Sequence, residues 1–168
     1  MKTRCIFASR YVAVSVMLLL LSSFVVPQEQ QRGREQYLCS EPNPGNACTA
    51  ENACGSSSTP CTVEIKRTAS DASVTPAIPN AKANMPFCVK AGTKMLWKSP
   101  SKNTGFVVDF GPDSPFAQGA IVGGSDRPIT AVAKTKGCYK YSTGACVSGA
   151  IYGMCASVET ELIITGSK

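Results

Sequence analysis

Residues 93–99, TKMLWKS, alternate strictly, with Met95 and Trp97 on one side of an extended chain and Lys94, Leu96 and Lys98 on the other. That period is the mark of a half-buried strand, and it makes Trp97 a core anchor. Just upstream, FCVK at 87–90 is a second short run, split off by Ala91-Gly92. Downstream, GFVVDFG at 105–111 places Phe106, Val108 and Phe110 on one face and Val107 and Asp109 on the other. CTVEIKRT at 61–68 alternates as well, and ITAVAKT (129–135), GCYKYS (137–142) and SVETELIITG (157–166) read as further strands. Tyr139 and Tyr141 share a face and join Trp97, Phe106 and Phe110 as expected core anchors.

Between these runs lie stretches rich in Pro and Gly, SVTPAIPNAKANMP (73–86) and GPDSPFAQGAIVGGSDRP (111–128), which read as connections. Residues 143–156 read as a long loop. Lys90, Lys94, Lys98 and Lys102 recur every fourth residue, but Gly92 and Pro100 interrupt any helix, so a solvated strand face is expected. About seven short strands and no amphipathic helix predict an all-β fold, an antiparallel β-sandwich over 61–168.

The 168-residue chain is long enough for one such domain with terminal additions. Lys2, Arg4 and Arg10 precede the apolar run YVAVSVMLLLLSSFVV, which ends at Pro27 and gives way to QEQQRGREQ. This pattern predicts a signal peptide over 1–27, with a retained N-terminal membrane anchor as the alternative. Either predicts export, to a periplasmic, extracellular or envelope-associated location. Residues 28–60 are rich in Pro, Gly, Ser, Asn and Cys and poor in large apolar side chains, so they read as a Cys-rich extension or linker, separable from the sandwich.

Of 9 cysteines, Cys5 lies in the leader. The even set that remains, Cys39, Cys48, Cys54, Cys61, Cys88, Cys138, Cys146 and Cys155, reads as disulfides in an oxidising compartment. The pairing stays open, although Cys146 with Cys155, or Cys138 with either, would close the 143–156 loop. The spacings among the first four are wider than the tight pairs of zinc sites. Without its three basic leader residues, the count of 17 Lys plus Arg against 11 Asp plus Glu leaves about +3, too little for a nucleic-acid footprint.

The chain has no histidine, which removes Ser-His and Cys-His dyads and the commonest general base. Glu159 and Glu161, two apart on one strand, read as a solvent-facing row, and Asp109 and Asp113 as turn residues. IVGGSD lacks the ending of a phosphate loop. No catalytic residue and no cofactor are expected.

Taken together, AGTKMLW (91–97), FVVDFG (106–111), GCYKYS and the final ELIITG resemble the cupredoxin-like domains, the plastocyanin and azurin type of Greek-key sandwich. SPF at 114–116 and YKYS at 139–142 resemble an exported bacterial subgroup. Copper-binding members hold the ion with two His, one Cys and commonly a weak axial Met. The resemblance implies ligand positions near Gly105, Thr143 and Cys146, where none of the residues has the expected type; only Met154 is of a ligand kind. No metal site is expected, the alternative being a soft Cu(I)-type site from Cys138, Cys146, Met154 and Cys155. The expected role is that of an exported, disulfide-stabilised, non-copper binding or structural module of the cell envelope. Its partner would be a protein or envelope component, not nucleic acid, and it would meet the membrane only through an anchor.

Overall fold

A computed structural model describes residues 38–154 and 160–166; the leader and Cys155 and Glu159 lie outside the described residues. All described residues fall within one compact unit, Gln36–Lys168. Its strands are β1 (Cys61–Arg67), β2 (Ala72–Pro76), β3 (Phe87–Lys90), β4 (Lys94–Lys98), β5 (Gly105–Asp109), β6 (Ala120–Gly124), β7 (Ile129–Val132), β8 (Gly137–Val147), β9 (Ala150–Tyr152) and β10 (Thr160–Thr165). They form two sheets, ordered β2-β1-β4-β7 and β3-β10-β8-β5-β6, with β9 pairing β8.

The sheets are mixed, not antiparallel throughout. β1 runs parallel to β4, and β3 parallel to β10. The cause is connectivity: after the β1–β2 hairpin the chain crosses to the larger sheet as β3 and returns as β4, so β4 re-enters beside β1 in the same direction. Parallel pairs need such crossovers, and strand runs in a sequence carry no record of which sheet each joins.

Three expected connections contain strands. Val74, which lies in the Pro-broken stretch, is fully buried in β2, and Ile121 is buried in β6. The long loop predicted after Ser142 does not form. β8 continues to Val147, turns at Ser148 and Gly149 with φ of 51° and 81°, and returns as β9. Two consecutive positive φ values give the twist that a tight hairpin needs. The hairpin also meets the smaller sheet, because the Arg67 guanidinium sits 4.0 Å from the centre of the Tyr152 ring.

The core follows the alternation of the strands. Met95 and Trp97 are fully buried, as are Val63 and Ile65 beside them. Trp97 meets Phe110, Phe116 and Tyr141 edge-on, with ring centres 6.2, 6.3 and 6.0 Å away, a geometry that aromatic quadrupoles favour. Phe106 is buried in the same cluster, and Tyr139 packs at its margin with its hydroxyl donating to the Thr135 carbonyl at 2.9 Å. On the opposite face of β4, Lys98 pairs with Glu64 at 3.4 Å, and Lys66 does so at 3.1 Å. The Lys66 hydrogen bond chiefly holds the Glu64 carboxyl below its ordinary value. Lys90 and Lys102 lie outside β4, so the four regularly spaced lysines do not form one strand face.

Candidate functional site

The outer face of the larger sheet carries the features that distinguish this molecule. In β10, Leu162 and Ile164 enter the core, so Glu161 and Ile163 point to the other side. Ile163 is aligned with Cys88 on β3 and with Cys138 on β8, so the three form one rung across the sheet. Both cysteines of that rung are bonded to the extension, Cys138 to Cys39 and Cys88 to Cys48. Ile163 is thereby only 2% exposed on what would otherwise be a solvent face.

Glu161 is a second attachment. Its carboxylate accepts the Leu38 N–H at 2.7 Å and the Cys39 N–H at 3.1 Å. Those amides open a short 3-10 turn, Leu38–Ser40, whose first N–H groups have no partner within the turn. Glu161 is 2% exposed, which corrects its reading as part of a solvent-facing row. The signal for this lay in TELIIT itself: Ile163 is apolar on the face that should have been polar, so both faces of the strand needed cover.

Farther along, the extension crosses the edge of the larger sheet. Asn52 and Cys54 bracket Cys88, whose N–H donates to the Asn52 carbonyl at 2.9 Å and whose carbonyl accepts from Cys54 N–H at 2.8 Å. Cys54 is then bonded to Cys61 at the start of β1, and both sulfur residues belong to the core cluster. A segment with few large apolar side chains is thus fastened to both sheets by three disulfides.

The expected disulfide residues Cys39, Cys48, Cys54, Cys61, Cys88 and Cys138 are all paired. The expectation that Cys138 closes onto Cys146 or Cys155 is overturned, because its partner is Cys39, 99 residues away. This also takes Cys138 out of the soft-metal set, since a disulfide sulfur offers no thiolate. Cys146, also expected in a disulfide, is instead a half-buried free thiol, a correction to that expectation, and Cys155 lies outside the described residues. Met154 lies against Gly144, where an added Cβ would come within 2.6 Å of its Cγ.

The positions to which the resemblance assigns copper ligands divide between the two sides of the sheet. Gly105 and Cys146 are aligned across β5 and β8 on the outer face, whereas Thr143 is buried on the core face with Tyr141 and Ala145. Among the described residues no group of three or more His, Cys, Asp or Glu is placed to hold a metal ion. Asp109 has the turn role expected of it, accepting the Gly111 N–H at 2.8 Å.

Compared with known proteins, the chain matches no protein-family model and no curated sequence.

Proposed function

We propose that this chain is an exported, disulfide-stabilised binding or structural module of the cell envelope, built on a copper-free sandwich of cupredoxin type and without catalytic activity. The observation that carries the reading is the fastening of residues 38–60. Two long-range disulfides and a buried carboxylate hold a polar segment against the sheet. Such crosslinks persist in oxidising compartments and suit domains whose core alone is modest. The lack of histidine, with Gly105, Thr143 and Cys146 at the positions the resemblance gives to ligands, supports a sandwich that no longer carries copper.

Thiol counting and a copper titration test the reading together. Protein from an oxidising compartment should keep Cys39, Cys48, Cys54, Cys61, Cys88 and Cys138 inaccessible to thiol reagents, and Cu(II) should raise no intense thiolate-to-copper absorption. Free thiols with stoichiometric bound copper would instead establish a Cys/Met metal-handling protein.

A further inference from the structure

Beyond Cys88 the extension and β3 part company, and the gap between them has a defined chemistry. Alternate residues of a strand turn their backbone groups to opposite neighbours. Ala91 N–H donates to the Thr165 carbonyl at 2.8 Å, so Val89 and Ala91 face β10, while Cys88 and Lys90 face the extension. Cys88 forms a parallel bridge with Ala53 there. One further step of that ladder would offer the Cys54 carbonyl to Lys90 N–H. The step is not taken, because Gly55 adopts φ +71° and the Cys54–Cys61 bond draws the chain towards β1. The Lys90 N–H is left with no acceptor, and its ammonium with no ion pair, among the described residues.

The space so created is a cleft of about 320 Å³, at the lower end of the range for small-ligand sites. Ala50, Ala53 and the Cys48–Cys88 disulfide give it apolar walls, Thr49 and Thr165 also line it, and among the described residues Lys90 is the one charged residue there. We propose that this cleft binds a small aliphatic carboxylate. The two oxygens of a carboxylate match one amide and one ammonium supplied by the same residue. A single cation compensates a monoanion but not a dianion such as phosphate. Walls of alanine and disulfide suit a short alkyl body, and among the described residues the lining offers no aromatic ring for stacking. This names a ligand class for the binding-module reading and rests on that reading through the disulfide that forms one wall.

The test is an amide-resolved NMR titration of the oxidised protein with hexanoate and, separately, with neutral hexanamide. Hexanoate should produce one saturable set of shifts at Lys90, Val89, Ala50 and Ala53, with hexanamide at least about tenfold weaker. Lys90→Met keeps the stem and backbone N–H and should weaken hexanoate by at least about tenfold, leaving hexanamide unchanged. Gly45 lines the cleft and has open space around it, so Gly45→Leu should weaken both probes. Equal binding of the two probes, shifts confined to Lys94 and Lys134, or no saturation in a fully oxidised protein would each overturn the cleft proposal alone. Free thiols at Cys48 and Cys88 would overturn it together with the module reading.

Discussion

Glu161 on β10, itself buried, accepts the backbone N–H of Leu38 across 123 positions of sequence, at 2.7 Å. The carboxylate does for the extension what a capping side chain does for a helix start, and it does so from another part of the chain. Glu161→Ala should therefore cost about 2 to 3 kcal/mol, since two amides lose a charged acceptor. Glu161→Gln keeps one acceptor oxygen and should cost less. Denaturant unfolding measures both; equal, near-zero losses would mean that the amides find water instead.

The three disulfides should differ in worth. Their sequence separations are 99, 40 and 7, for which loop entropy alone gives about 4.7, 4 and 2.4 kcal/mol. Paired Cys→Ala variants should follow that order in unfolding experiments, except that Cys54 and Cys61 are buried in the core, so their loss should exceed the loop contribution. Deleting residues 38–60 should lower stability further by uncovering Ile163 and Glu161, contrary to the separability expected from composition.

Trp97 is fully buried, and it is the one tryptophan of the chain. Trp97→Ala should cost about 3 to 5 kcal/mol. The same residue reports on folding, so its emission should be blue-shifted in the native protein and move to the red in one cooperative step with denaturant. A small loss for the alanine variant would mean that the facing of β4 is wrong.

Tyr141 is buried beside Thr160, but its hydroxyl falls short of hydrogen-bond geometry. Burial pushes its ionisation well above the ordinary value of 10.0. Above that pH the unfolded chain releases a proton that the native protein keeps, so stability should fall by about 1.4 kcal/mol per pH unit from this group. Below it the contribution is constant. Tyr141→Phe should remove this alkaline slope at little cost near neutral pH, because among the described residues the hydroxyl has no hydrogen-bond partner to lose. A slope unchanged in the variant would assign the alkaline loss to other groups.

Much of the strand content was legible in short alternations. Met95 with Trp97, and Phe106 with Val108, face inward as period 2 requires, because alternation is imposed locally by the pleat. The even cysteine set pointed to crosslinks for a reason equally local, the chemistry of thiols in an oxidising compartment. Exclusion of a histidine-based site also follows from composition alone.

Pairing between distant segments was decided only in three dimensions. That β1 lies parallel to β4, that Cys138 reaches back to Cys39, and that Glu161 is covered by Leu38 all depend on which surfaces meet once both sheets have formed. Turn chemistry hid β2, β6 and the β8–β9 hairpin, because Pro, Gly and Ser break a run in sequence without preventing a buried Val74 or Ile121 from joining a sheet. The sequence by itself determined the residues able to build a sandwich and to crosslink it. The tertiary structure decided which outer face the extension covers and where it turns away from Lys90, since those contacts depend on the burial of one segment by another and not on the preferences of either.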